Sequence, residues 1–381
     1  VKTNNFKRNA LVVALLGTAG VAHATNGDQM LGVTATQWGM AGAVVAAPQD
    51  AGTVLTNPAG LATLEMNEFR SDMGFGFLNP PRKADGYSSE SDLYMMPSGA
   101  LAFRIDDQLT LGMGMAGLSG MGVDFTDARS DLPGNQTVVT TKQFYKIAPG
   151  FAYKINEKLN VGAALNIDYQ SLAMYNSSRQ LPQNQVFGFG ATLGLTYQIS
   201  DTLRFGAAYI SQQNMDAFKW NTTGGRYEMT MDAPQSLQLG LAYMPNPGLL
   251  VEFDVKQIQF SDVLDKVTLK TPGGDQVMNF GWSDQTVYAI GVQRKMNDKT
   301  TVRVGYNYGA SPIGPEDVTN NYGSLAVTEH HLSLGMTRQM SDKASVSLSY
   351  VRAFHNKVEN SAGRSIELEQ NVLNLQISYR N

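Results

Sequence analysis

Lys142-Gln143-Phe144-Tyr145-Lys146-Ile147-Ala148-Pro149-Gly150-Phe151-Ala152-Tyr153-Lys154-Ile155 changes character at every step. Tyr145, Ile147, Phe151, Tyr153 and Ile155 fall on one face of an extended chain, while Lys146, Ala148, Gly150, Ala152 and Lys154 fall on the other. That period of two is the mark of a β-strand with unlike sides. The next run repeats it, with Leu159, Val161, Leu165, Ile167 and Tyr169 set against Asn160, Gly162, Asn166, Asp168 and Gln170. Phe187 to Ile199 and Leu373 to Tyr379 follow the same rule. One face is large and apolar; the other is small or polar.

Alternation also suits a water-soluble sandwich, so strand length and turn size decide between the two. The runs extend over about 10 to 14 residues, where globular strands have a mode near 5 or 6 and bilayer-crossing strands need roughly 9 to 11. Tight polar turns at Asp106-Asp107-Gln108, Asn156-Glu157-Lys158, Ser200-Asp201, Pro245 to Gly248, Asn297-Asp298-Lys299 and Ser341-Asp342-Lys343 alternate with longer polar segments. Those segments run Pro80–Asp92, Gly122–Thr141, Asn176–Gln185, Ala217–Thr230, Ser261–Asp284, Ser311–Thr328 and Asn356–Glu367. Short turns alternating with long loops are the pattern of an outer-membrane barrel. The spacing predicts an all-β fold, a transmembrane antiparallel β-barrel of about 14 strands. Tyr153, Tyr197, Tyr209, Tyr243, Tyr306, Tyr350 and Tyr379 cluster near strand ends, where an aromatic girdle belongs. Pro149 sits mid-strand and cannot donate to its ladder, so a bulge is expected there.

Composition agrees with the barrel. Only 16% of the 381 residues are charged, 38 are glycine, and Tyr and Phe number 16 each. A soluble protein carries nearer a quarter charged residues. The net charge of −4 supplies no basic field for nucleic acid. Lys2, Lys7 and Arg8, the apolar run Ala10 to Val21 and the Ala22-His23-Ala24 site read as a signal peptide over residues 1–24. The chain has no cysteine, which excludes disulfides and thiolate metal sites.

A barrel of this size leaves an aqueous lumen unless something fills it. Thr25 to Leu64 is the candidate, a plug ahead of a barrel spanning residues 65–381. Pro48 is expected to open a short helix through Leu55, and Asn57 to cap a second turn with Pro58 at its first position. Gly39, Ala41, Gly42, Ala43, Ala46 and Ala47 are small enough to thread among inward side chains.

Asp50-Ala51-Gly52 followed by Asn57-Pro58-Ala59 resembles the hatch motif of the FadL/TodX family of outer-membrane long-chain fatty acid and hydrophobic compound transporters. Pro97 to Phe125, Ser311-Pro312 and Ser341 to Val346 are similar to that family as well. The resemblance implies a monomer with an N-terminal hatch, which captures a hydrophobic ligand and releases it to outer-membrane lipid. Release would pass through a wall opening where the third strand, Leu109 to Met121, kinks. Gly117 and Gly120 align with that kink; glycines that merely face a crowded plug are the plainer reading. The family also places cations for a ligand carboxylate near Lys266 and Arg179. Without them an uncharged cargo, such as an aromatic hydrocarbon, fits better.

Other classes fare worse. A general porin needs rings of lumen charge and no N-terminal plug. A membrane hydrolase needs a Ser/His pair, yet His330 and His331 are adjacent on a strand and point to opposite faces. No nucleophile elbow or phosphate loop is present, so neither catalysis nor a cofactor is expected. A purely structural barrel would not need a packed plug.

Overall fold

The computed structural model describes residues 25–126, 138–176 and 179–381; the expected leader lies outside them. Among the described residues, fourteen long strands close into one antiparallel cylinder. In chain order they are β1 (Phe69–Asn79), β2 (Tyr94–Arg104), β3 (Leu109–Asp124), β4 (Val139–Lys154), β5 (Leu159–Asn176), β6 (Arg179–Ser200) and β7 (Leu203–Ile210). Then follow β8 (Ser236–Asn246), β9 (Leu249–Ile258), β10 (Gln285–Asn297), β11 (Thr300–Gly309), β12 (His330–Gln339), β13 (Ala344–Glu359) and β14 (Ser365–Arg380). Each pairs with the next, and β14 closes on β1 from Asn371↔Asn79 to Arg380↔Arg70. Closure leaves no free edge, the condition for strands to cross a bilayer.

The two faces separate as the alternation requires. Phe187, Phe189 and Leu193 on β6 are 55%, 57% and 54% exposed, whereas the intervening Thr192 and Thr196 are buried. In water such a surface would be an aggregation site; facing lipid it is the stable arrangement.

Residues 25–66 fill the cylinder. Val54, Leu55 and Leu61 are 0 to 1% exposed, packed against inward Ala100, Ala102, Ala116, Ala148 and Ala164. Burying each of these large side chains contributes about 2 kcal/mol. The inner wall is kept small to admit them. A Cβ on Gly206 would lie 2.4 Å from the Val45 carbonyl oxygen, and one on Gly162 would lie 2.4 Å from the Ala59 nitrogen.

Local signals in this segment came out unevenly. A short helix, α1 (Ala35–Gly39), is capped by the Thr34 hydroxyl, which accepts from the Gln37 amide. The turn expected from Pro48 begins later: it is a 3-10 turn over Ala51–Leu55, because the Asp50 carboxylate accepts from Gly52 and fixes the start there. The second turn, Pro58–Thr63, begins as read, with Asn57 as its cap and Pro58 first.

The expected bulge at Pro149 is absent. The β4–β5 ladder lapses at Ala148 and Pro149 and resumes in the same register, Ile147↔Ile167 then Gly150↔Ala164. The missing N–H therefore removes local pairing without inserting a residue. Several polar segments expected as loops are strand instead. β5 and β6 carry pairing through most of Asn176–Gln185, and Phe218–Thr222, Gly225–Met229, Lys266–Thr271 and Gly274–Asn279 form a separate four-stranded sheet at the long-loop end. Their polar exposed faces hide strands whose other side buries Phe218, Trp220, Met229, Val267 and Leu269. Residues 127–137 of the Gly122–Thr141 segment lie outside the described residues.

Candidate functional site

The wall's pairing stops short between β2 and β3. Pairing between β2 and β3 stops at Ser98↔Ala116, while β3 stays paired with β4 as far as Asp124. At that point the β3–β4 register slips by one, between Gly117↔Tyr145 and Ser119↔Phe144, leaving Leu118 as the extra residue of a bulge. A bulge bends and twists its strand. Here it carries β3 away from Tyr94 to Pro97 and opens a cleft of about 50 Å³ lined by Met30, Met96, Gly117, Gly120, Met121 and Tyr145 among others. The strand-3 glycines divide by position. Cβ atoms on Gly112 and Gly114 would strike Leu61 and Val54 at 2.6 and 2.7 Å, so these two make room for the plug. Gly117 and Gly120 instead border the cleft.

The N-terminal hairpin sits behind this cleft. Thr25 pairs with Met30 and Asn26 with Gln29, turning at Gly27 (φ +57°). Gln29 then bridges to Ser119 of β3. The Asp28 carboxylate accepts from Ser119 Oγ at 2.5 Å and from Lys142 Nζ at 2.7 Å, through the same oxygen. Its other oxygen accepts from Gln29 Nε2 at 2.9 Å. Burial alone would raise the Asp28 carboxyl, but the Lys142 ammonium and these hydrogen bonds outweigh it and hold the group below the ordinary carboxylate range.

Deeper in the lumen lies a cavity of about 80 Å³, walled by apolar Leu31, Val33, Leu55, Leu118, Phe144 and Ile258. Two ammonium groups enter it, Lys146 from β4 and Lys256 from β9. Neither has a carboxylate within 4 Å among the described residues, although Asp168 and Asp254 lie nearby. Both Asp168 oxygens and both polar atoms of the Gln170 amide are buried without a hydrogen-bond partner. Polar groups left unmade in a buried wall point to water or ligand, since burying them empty is costly. Met30 and Phe144 line both this cavity and the cleft, and so form the partition between them.

Side chains of the wall grip the segment by its backbone. Asp254 Oδ2 accepts the Val44 and Val45 amides at 2.9 and 3.1 Å, and Glu252 Oε1 accepts those of Ala46 and Ala47 at 2.6 and 3.1 Å. Asn57 Nδ2 donates to the Val45 carbonyl at 2.7 Å and to Leu195 of β6 at 3.1 Å, while its Oδ1 accepts from Ala59. Pro58 and Ala59 are buried against β5 and β6 at Gly162 and Gly194. Asp50 accepts from Gly52 at 3.1 Å and from the Thr34 hydroxyl at 2.5 Å. Burial, and next the neighbouring Asp72, push the Asp50 carboxyl up to about 6.

The two cations expected for a ligand head are elsewhere. Lys266 is exposed at the start of an outer-sheet strand, 3.6 Å from Asp265. Arg179 donates to Gln276 at 2.5 Å and lies over the Tyr227 ring at 5.8 Å. Neither lines the lumen cavity. The lysines that line the lumen cavity are Lys146 and Lys256. Their signal was visible, a lysine on the small inward face of a barrel strand, but it looked like any polar residue of that face.

Below the plug, at the short-turn end, opens a polar vestibule of about 690 Å³ that includes Gln49, Gln293, Arg303 and Asp342. His331 is fully buried with Nε2 3.1 Å from the Thr25 carbonyl, whereas His330 is exposed beside Tyr306, so the adjacent histidines do face apart. No described helix is long and apolar enough to cross a membrane.

Comparison with known proteins agrees with this geometry. The chain is 22% identical to outer membrane protein P1 of Haemophilus influenzae over 452 aligned positions, covering 98% of this chain and 96% of that one. It is 20% identical to a long-chain fatty acid transport protein of Salmonella typhi, covering 78% and 80% of the two chains. The toluene transporter TodX of Pseudomonas putida superposes with a TM-score of 0.75 at 18% identity, over 94% of this chain and all of that one. The profile described as outer membrane protein transport protein (OMPP1/FadL/TodX) matches residues 15–379. A plugged fourteen-stranded barrel with one interrupted seam thus meets a match over nearly its whole length: the chain belongs to the OMPP1/FadL/TodX family of outer-membrane transport proteins, channels of the Gram-negative outer membrane and not enzymes.

Proposed function

We propose that the protein takes up long-chain fatty acids or similar amphiphiles with an anionic head, with residues 25–64 acting as a hatch and release occurring sideways into the bilayer. The observation that carries this reading is the pair of ammonium groups, Lys146 and Lys256, that line the lumen cavity with no carboxylate within 4 Å of either among the described residues; Asp254 shares the lining, but one of its oxygens is taken up by the Val44 and Val45 amides. A buried charge that makes no contact ion pair is unfavourable, and a ligand carboxylate would supply one. An aromatic hydrocarbon has no charge to offer; a carboxylate matches both lysines. Ligand pockets usually measure about 300–1,000 Å³, so a cavity of about 80 Å³ accepts the tail only if the hatch yields. Lys266 and Arg179 at the extracellular end are candidates for first contact with the head, before entry.

Lateral release follows from the cost of water. Exposing a methylene costs about 0.8 kcal/mol, on the order of 10 kcal/mol for a long chain. A gap between β2 and β3 at Gly117 and Gly120 lets the tail move from apolar lumen to apolar bilayer. The monomer and the surrounding lipid suffice for this.

Equilibrium binding to the detergent-solubilised chain tests the reading. Palmitate is expected to bind, and Lys146→Met with Lys256→Met to weaken it by roughly tenfold or more, about 1.4 kcal/mol. Toluene binding equally in both proteins, with palmitate binding in neither, would replace the amphiphile with an aromatic hydrocarbon.

A further inference from the structure

The hairpin behind the seam holds Lys142 of β4 through the Asp28 carboxylate. We propose that Lys142 is an exchange site for the cargo's carboxylate: the anionic head takes the place of Asp28 on the Lys142 ammonium, freeing the hairpin from β3 and opening the seam. The inference rests on the amphiphile reading above.

Three observations converge. The Asp28–Lys142 pair is buried on both sides, with side-chain exposures of 0% and 4%. Separating such a pair leaves an uncompensated charge in the wall, which is strongly unfavourable. A ligand drives a conformational change only through contacts that differ between the two states. An uncharged cargo makes no such contact at Lys142, but a carboxylate does.

Lys142, Phe144 and Lys146 are successive inward residues of β4, all buried. Lys142 and Lys146 are therefore four residues apart on one wall, roughly 13 Å along the strand. Lys146 opens into the lumen cavity and Lys142 into the seam cleft, with Met30 and Phe144 between. A head bound first between Lys146 and Lys256 has one further cation along the same strand, and that cation stands at the exit.

The remaining ties of the hairpin to β3 are few. Gln29 makes one bridge to Ser119, the Gly120 amide reaches the Asp28 carbonyl at 3.4 Å, and Ser119 Oγ donates to the Asp28 carboxylate itself. Removing Asp28 from Lys142 breaks the ion pair and the hydroxyl bond together. The latch thus selects cargo by charge at the exit, separately from binding in the cavity.

The test uses the full chain in proteoliposomes, with palmitate and methyl palmitate as paired cargo, and a binding titration in detergent. Lys142→Met, which removes the cation that the head would exchange onto, is expected to erase the preference for palmitate over methyl palmitate in transport while palmitate affinity at the Lys146/Lys256 cavity stays within about twofold, and Lys142→Arg to restore the preference. Asp28→Asn, which weakens the latch without removing the cation, is expected to raise methyl palmitate transport severalfold. Cold melting profiles or loss of heat-modified mobility in Lys142→Met would make Asp28→Asn the deciding variant. A preference for palmitate over methyl palmitate that persists in a folded Lys142→Met protein, or methyl palmitate transport unchanged in Asp28→Asn, overturns the exchange. Failure of palmitate to bind the unaltered protein overturns instead the amphiphile reading on which it rests.

Discussion

Asp254 of β9 accepts two consecutive amides of the N-terminal segment through a single oxygen, Val44 at 2.9 Å and Val45 at 3.1 Å. Glu252, two residues earlier on the same face, does the same for Ala46 and Ala47. Four backbone donors that the segment cannot satisfy internally are thereby met by two side chains of the wall. Replacing both with alanine leaves those donors buried and unpaired, at about 1–3 kcal/mol apiece. Glu252→Ala with Asp254→Ala is expected to unseat the hatch while the barrel stays closed. Hydrogen exchange at residues 44–47 should accelerate strongly as barrel amides remain protected; uniform protection would contradict the grip.

The Asp50 carboxyl, raised to about 6, gives the hatch a dependence on acidity. Its folded value lies above the ordinary 3.8, so the seated segment binds a proton that the unfolded chain does not hold between those values. Stability therefore rises as pH falls from about 7 towards about 4, and the ionised carboxylate weakens the fold above about 6. Melting temperature in detergent is expected to increase over that interval in the native chain. Asp50→Asn should flatten this part of the profile; an unchanged slope would remove Asp50 from the account.

Glycines of β3 should respond to substitution according to what they face. Gly114→Val drives a side chain into Val54, since even a Cβ lies 2.7 Å away, and is expected to expose the hatch to protease. At Gly120 the nearest obstacle to a Cβ is the Lys142 carbonyl at 3.3 Å, which a small shift relieves. Gly120→Phe is expected to leave folding intact and lower uptake by about tenfold through obstruction of the seam. Equal uptake by Gly120→Phe and the native chain would count against lateral release.

Deleting Asn57 to Gly60 removes the cap that ties the second turn to Val45 and Leu195. Loss of uptake with an intact outer membrane is expected, because the hatch no longer seats in one position. Normal uptake would leave the motif without a transport role.

Much of this architecture was legible because lipid and plug impose different rules on the two faces of each strand. Phe187 and Phe189 could only belong outside, and Gly188 and Gly190 only inside, so strand count and orientation followed. Asn57-Pro58 announced its turn because the cap and the missing N–H act locally. The site was harder. Lys146 is set opposite Asp168 only when β4 and β5 pair, and Lys256 joins Lys146 in the cavity from a strand more than a hundred residues later. Asp28 reads as a loop residue until Lys142 is found 2.7 Å away. The kink glycines were readable as a group, but only packing divides Gly112 and Gly114, against the plug, from Gly117 and Gly120, at the seam. Lys266 and Arg179 were expected on family spacing, but the outer sheet carries Lys266, and the first residue of β6 is Arg179, so that neither lines the lumen cavity.

The route of the cargo is tested most directly by a palmitate analogue with a photoreactive group near its tail, activated while transport runs in proteoliposomes and followed by mapping of the labelled peptides. Labels are expected at the seam, on Met96, Met121 and Tyr145, and at the partition residues Met30 and Phe144. Labels confined to the periplasmic vestibule, at Gln49, Gln293 or Asp342, would mean that cargo passes through the hatch and not through the wall.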